Sequence, residues 1–193
     1  MDLLSFLAEN FDLPILEWIA EHLHCGFLNA VMPVITAFGN GGIFWIASAL
    51  VLLAIPKYRK AGLSMAFALL MGLLVCNVTL KPLVARIRPY DYQLEHFGKE
   101  ISLLIATPHD FSFPSGHTIA SFEGAAALLL HDRKLGIPAA VLAVLIAFSR
   151  LYLYVHYPTD VLASVVLGTG LAFLASFLVN KGFALWESKK QTV

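Results

Sequence analysis

The sequence predicts an all-α integral membrane protein: a helical bundle with five transmembrane spans, six as the alternative, and an N-terminal interfacial amphipathic helix. Three observations lead there. The 193-residue chain is 59% hydrophobic and only 13% charged, with mean hydropathy +0.76, too apolar for an ordinary soluble domain. Its charges are gathered into short intervals between uncharged runs that approach the length of a bilayer crossing. In the first 24 positions, apolar residues recur at helical spacing. The formal net charge of zero gives no reason to expect nucleic acid as a partner. The lipid bilayer is the partner that composition implies, and oligomeric state is left open. The length fits a single domain over 1–193, with 1–38 interfacial or partly inserted and 40–180 forming the helical core. Cys25 and Cys76 are far apart, and Cys76 lies in an apolar run, so neither a disulfide framework nor a thiolate metal site is expected.

Taken in order, residues 1–24 set Leu3, Leu4, Phe6, Leu7, Ile15, Leu16, Trp18 and Ile19 against Glu9, Asp12, Glu17 and Glu21. This spacing predicts the interfacial helix, interrupted near Pro14. No basic stretch precedes it, so a secretory signal is not expected. From Cys25 to Pro56 there is no charge. As helix this run would reach roughly 48 Å, too long for one crossing and too short for two. Gly39-Asn40-Gly41-Gly42 divides it into a partial or shallow helix to Phe38 and a span over about 43–55. The basic loop Lys57-Tyr58-Arg59-Lys60 leads to a second uncharged run, 61–80. Residues 82–113 form a polar connection, with a short helix expected near 101–105. Spans over about 116–130, 135–154 and 159–180 follow, the first two separated by His131-Asp132-Arg133-Lys134. With five spans, the basic loops at 57–60 and 131–134 and the lysine-bearing tail share one side, which the charge bias makes cytoplasmic. Lys81, Arg88, His117, Arg150, His156 and Asp160 then fall at the extracytoplasmic end.

The chain is organised around Phe113-Pro114-Ser115-Gly116-His117, which opens an apolar helix after the longest polar interval. Ser115 is a natural N-cap residue, and free amides at a helix start make an anion site. Lys81 and Arg88 are seven apart and share one face if their helix is continuous. Arg88 offers a planar fork for phosphate oxygens and Lys81 a point charge. Arg86 points off that face and reads as a headgroup-level cation. His117, behind the Ser115 and Gly116 amides, suits a general acid. His156 and Asp160 are four apart, so the carboxylate can bond one imidazole nitrogen and leave the other as nucleophile. Arg150 closes the cationic ring if the chain bends at Tyr157-Pro158. Other polar residues read as bland. His22 and His24 lack metal-binding partners, Asp91, Glu95, Lys99 and Glu100 suit a solvated loop, and His109-Asp110 suits a turn. Glu123 is expected to pair within the bundle.

Lys81…Arg88-Pro89, Pro114-Ser115-Gly116-His117 and Ser149-Arg150…His156…Asp160 occur in order, each at the end of a predicted span. This resembles the three-part signature of the type-2 phosphatidic acid phosphatase superfamily, in its bacterial membrane branch, over roughly residues 40–180. The resemblance implies a six-helix core and hydrolysis of a lipid phosphate or diphosphate without metal or other cofactor. It implies His156 as the nucleophile forming a phosphohistidine, Asp160 orienting it, and His117 protonating the leaving oxygen. Lys81, Arg88, Arg150 and the amides of Ser115 and Gly116 would hold the phosphoryl oxygens. Undecaprenyl diphosphate, phosphatidylglycerophosphate and phosphatidic acid are the substrates it brings into view. The resemblance also departs from the family: bacterial members often carry a full span ahead of the segment that here begins near Asp12, hence five spans rather than six. A lipid-headgroup binding or flipping protein would not require the His156–Asp160 pair. The related vanadate haloperoxidases are large and soluble, unlike this chain.

Overall fold

The computed structural model describes residues 3–191, and among these every regular element is helical. Helix α1 (Leu3–Leu7) runs through a π turn (Ala8–Asp12) into α2 (Leu13–Leu23). The helix passes through Pro14, the second residue of α2, with helical backbone on both sides of it. The expected interruption at that proline is instead the π turn just before it. Helix α3 (Gly26–Ala37) ends at the glycine turn, where Gly41 and Gly42 take φ of 57° and 67°, and α4 (Ile43–Ala54) follows. These backbone angles favour glycine, so the break read from Gly39–Gly42 is where the sequence puts it.

Helix α5 (Arg59–Gly72) continues as a π-helical segment (Leu73–Leu80) and one further turn, α6 (Lys81–Val84). Thr79 donates its hydroxyl to the Leu74 carbonyl at 2.8 Å, five residues back, in keeping with the wider turn. Helix α7 (Pro89–Phe97) starts on a proline and stops at Gly98, φ 64°. This is the helix of the long connection. The one expected near 101–105 is absent, because Ile101, Leu103 and Ile105 alternate with exposed Ser102 and Leu104. That period of two sets the three partly buried residues of a non-helical segment against the cluster beneath it.

Helices α8 (Gly116–His131), α9 (Arg133–Tyr152) and α10 (Pro158–Gln191) complete the chain. Asp132 starts α9 by accepting from the amides of Lys134 and Leu135 at 2.8 and 3.3 Å. Among the described residues, four runs are long and apolar enough to cross a membrane: Gly26–Ala54, Pro56–Phe97, Arg133–Tyr152 and Pro158–Lys190. Helix α8 has 16 residues, short of the ~20 that a bare span needs. It is instead the buried centre of the bundle, packed by α4, α5, α9 and α10. Its small residues permit this. A Cβ on Gly124 would stand 2.2 Å from the Trp45 ring, so only glycine lets α4 approach there.

Two apolar clusters result. One lies among the long helices and includes Trp45, Met65, Ala125, Ile146 and Ala172. The other lies under the α9–α10 corner, where Tyr152–Tyr157 are covered by Leu13, Leu16 and Ile19 of α2. A buried ion network pins that cover. Arg86 donates to Asp12 Oδ2 at 2.7 Å and to Asp160 Oδ1 at 2.6 Å, and its guanidinium lies 3.7 Å from the Tyr157 ring centre. Asp12 also accepts from the Thr159 amide and hydroxyl at 2.9 and 2.7 Å. Arg86 is therefore an internal tie, not a headgroup-level cation.

Removing one partner of a buried ion pair typically costs about 3–5 kcal/mol. Asp12→Ala should thus lower the unfolding midpoint in detergent far more than Glu9→Ala, which removes only the half-buried acceptor of the Tyr92 hydroxyl, worth about 1 kcal/mol. Equal losses in thermal denaturation would show that the network does not hold the N-terminal helix.

Candidate active site

The cationic residues converge through turns. Helix α6 ends at Val84, and Ala85 takes a left-handed conformation (φ 48°, ψ 36°) with its amide bonded to the Lys81 carbonyl at 3.0 Å. The chain then runs extended through Arg88 into Pro89. Lys81 and Arg88 do not share a face of one continuous helix, as their spacing predicted. They meet because the helix breaks between them. Asp110 shows the meeting point: its carboxylate accepts from both Lys81 and Arg88, the latter at 2.6 Å. Partial burial alone would raise the Asp110 carboxyl, but the Lys81 ammonium and the Arg88 guanidinium hold it well below the usual carboxylate range.

Arg88 is buried and fully engaged. Its Nε donates to the Asp110 carbonyl at 2.7 Å and Nη1 to the Val155 carbonyl at 2.6 Å, with Nη1 3.4 Å from His156 Nε2. His156 sits in the corner between α9 and α10, 1% exposed. That corner needs a left-handed residue, Tyr154 at φ 59°. Burial first, then the field of Arg88, Arg150 and Lys81, hold the imidazole well below its ordinary value, which keeps it neutral. Arg150 comes from the last turn of α9 and donates to Thr36 Oγ1 at 2.7 Å, while its Nε has no protein partner.

Asp160 is placed differently from expectation. Its Oδ2 lies 3.7 Å from His156 Nδ1, beyond hydrogen-bond reach. The carboxylate instead accepts from Arg86, from the Ser112 hydroxyl at 2.5 Å and from the Tyr157 amide at 3.1 Å. It fixes the corner that carries His156, and their contact is electrostatic.

At the start of α8, Ser115 is the N-cap residue but makes no side-chain capping bond. Its hydroxyl accepts from Thr118 at 3.0 Å, and its amide donates to Ser164 Oγ at 2.8 Å. The Ser115 amide is therefore taken, contrary to the expectation that it faces an anion. Gly116 and His117 do reach the cavity. His117 Nε2 pairs with Asn40 Oδ1 at 2.8 Å, so the glycine turn after α3 orients this ring.

Of the site residues expected from the sequence, all but Ser115 and Asp160 line one cavity of about 850 Å³. Lys81, Arg88, Asp110, Arg150, His117 and His156 form its polar end, and Ile46, Leu50, Leu69 and Leu73 its apolar wall. Such a shape takes an anionic head and a hydrocarbon tail. Sequence reasoning missed Asp110, Asp12, Thr36, Ser112 and Asn40. Only Asp110 had a signal, as a carboxylate five residues before Ser115 in a polar interval. Glu123, expected to face away and pair within the bundle, lines the same cavity and joins none of the ion pairs among the described residues. Its helix position explains this, since seven residues bring it round to the face of Gly116. His22 and His24 bond the carbonyls of Trp18 and Tyr152 at 3.0 Å each, as structural histidines.

The chain is similar to known proteins in sequence and in fold. The undecaprenyl-diphosphatase of Sulfolobus acidocaldarius is 32% identical over 156 residues, covering 80% of this chain and 72% of the relative. The phosphatidylglycerophosphatase B of Bacillus subtilis is 33% identical over 182 residues, 86% and 75% of the two chains. The crystal structure of a transmembrane phosphatidylglycerolphosphate phosphatase from Bacillus subtilis superposes with a TM-score of 0.71 at 28% identity, over 92% of each chain. The PAP2 superfamily pattern matches residues 61–183, the stretch that supplies every cation and both histidines of the cavity, and this chain belongs to that superfamily.

Proposed function

We propose that the cavity hydrolyses a membrane lipid phosphate or diphosphate through a phosphohistidine, with no metal ion in the chemistry. The observation that carries this is the polar end itself: Lys81 and Arg88 already grip a carboxylate beside the buried His156. A phosphoryl group takes the place of that carboxylate. His156 attacks phosphorus, a P–N bond forms, and the bond to the leaving oxygen breaks. His117 gives that oxygen its proton. Water, losing a proton to His117, then cleaves the P–N bond and frees phosphate. Lys81, Arg88, Arg150 through its unpartnered Nε, and the Gly116 amide hold the equatorial oxygens. Comparable preorganised donors contribute about 3–4 kcal/mol each to such transition states. Asp160 acts on His156 through the corner it braces, and Ser115 through Thr118 and Ser164. Undecaprenyl diphosphate, phosphatidylglycerophosphate and phosphatidic acid all combine the anionic end and the apolar tail that the cavity accepts.

In the same reading the whole chain is one catalytic unit in a bacterial cell membrane. Helices α4, α5, α8, α9 and α10 are its five spans, and α8 crosses despite its length because its neighbours shield it from lipid. Helices α1 and α2 lie at the extracytoplasmic interface, over the site. The basic loops then face the cytoplasm. A cysteine at Ser5 should react with an impermeant thiol reagent in intact cells and one at Lys189 should not, in a background without Cys25 and Cys76. The reverse pattern would invert the molecule, and labelling at neither position or at both would place the two ends on one side.

The two histidines should respond differently to the leaving group. His117→Ala should lose about 10²–10⁴-fold on alkyl lipid phosphates, the usual contribution of a general acid. It should recover much of that rate on an aryl phosphate whose leaving group needs little protonation. Steady-state hydrolysis of both substrates tests this, and an equal collapse on each would remove His117 from the acid role.

A further inference from the structure

Glu123 is the one acidic residue among the described residues that lines the cavity from inside the bundle. It is 1% exposed, and its Oε1 has no hydrogen-bond partner. A carboxyl that keeps one oxygen unpartnered in an apolar wall is costly, so its presence calls for a polar group to meet. The packing makes room for it. A Cβ on Gly72 would stand 2.1 Å from Glu123 Oε1, so the carboxyl lies where any other residue at 72 would put its side chain.

Its depth identifies the partner. Asn77, five residues after Gly72 along the α5 π-helical segment, also lines the cavity. The amide atoms of Asn77 lie 3.5 and 3.6 Å from where a Gly116 Cβ would be, at the level of the polar end. Glu123 lies seven residues along α8 from Gly116, a rise of roughly 10 Å, and side chains lean back toward the helix N-terminus, so the Glu123 carboxyl stands several ångströms below Gly116. In an extended glycerol phosphate, the first ester carbonyl is five bonds of about 1.5 Å from phosphorus and reaches roughly 6 Å. A polyprenyl chain offers only hydrocarbon at that depth.

We propose that Glu123, with Asn77 above it, forms a polar subsite in the apolar wall that recognises the ester carbonyl of a glycerolipid phosphate and so selects it over a polyprenyl diphosphate. In its acid form Glu123 donates its O–H to that carbonyl. This rests on the lipid-phosphatase reading and narrows its substrate class.

The test measures kcat/KM in detergent micelles for a diacylglycerol phosphate, its dialkyl ether analogue and undecaprenyl diphosphate. One hydrogen bond corresponds to about tenfold. The native protein should prefer the ester to the ether by about that factor and to undecaprenyl diphosphate by at least as much. Glu123→Leu should bring the ester-to-ether ratio near one, and Glu123→Gln, which keeps a donor of the same shape, should retain most of it. A native ratio near one, a ratio undiminished in Glu123→Leu, or a native preference for undecaprenyl diphosphate would overturn the proposal. The same lipids added to His156→Ala, read as a shift in its thermal unfolding, separate the two readings. Ester-selective stabilisation with no turnover by the native protein would support the subsite while refuting the phosphatase. Turnover with no ester selectivity in either readout would do the reverse.

Discussion

The constraint on which the rest depends is the buried pairing of Arg86 with Asp12 and Asp160. One guanidinium joins the N-terminal helix, the break between α6 and α7, and the start of α10. Two residues on from Arg86, Arg88 is aimed by that break, and His156 is carried by the corner that Asp160 braces. Each ion pays a desolvation cost that its partner only partly offsets. What the triad provides is geometry, because in this packing both carboxylates are satisfied by donors from other segments. The Asp160 carboxylate accepts from three donors of this network, and in that position it stands 3.7 Å from the His156 ring.

The cavity follows from that frame. Cations in an apolar bundle persist where they are paired or meet an anion, and here both occur at one end. Asp110 pairs with both Lys81 and Arg88 from a segment held down by the Ser112 amide on the Arg86 carbonyl at 2.7 Å. The carboxylate is half-exposed, so it can yield to a better anion, whereas the buried triad cannot. Mobile and fixed charges are thereby divided between the front and the back of the same site.

The bundle was legible in the sequence because its signals are local. Apolar runs set α4, α5, α8, α9 and α10, and Gly39–Gly42, Asp132 and Pro158 mark limits close to where the structure has them, whereas α10 continues to Gln191, well past the expected end near 180. The three charged motifs marked the groups that meet, since each falls at a helix end. Their contacts were less legible. Whether Lys81 and Arg88 share a helix turns on a left-handed Ala85, a residue with no preference for that conformation. That the Ser115 amide is occupied depends on Ser164, 49 residues away. The non-helical 101–105 segment did carry its period of two, but short apolar stretches fit helix and strand alike until burial decides. Asp12 looked like one more acidic residue on an amphipathic face, and only tertiary contact distinguishes it from Glu9 or Glu17.

The central claim is that the cation cradle serves covalent transfer to His156, and trapping the intermediate tests it most directly. A lipid phosphate radiolabelled in its terminal phosphoryl group would be mixed with the protein, quenched in denaturant at alkaline pH and digested. The account predicts an acid-labile, base-stable label on the peptide containing His156, lost in His156→Ala and retained in His117→Ala supplied with an aryl phosphate. Label on another residue, or label that persists in His156→Ala, would contradict it.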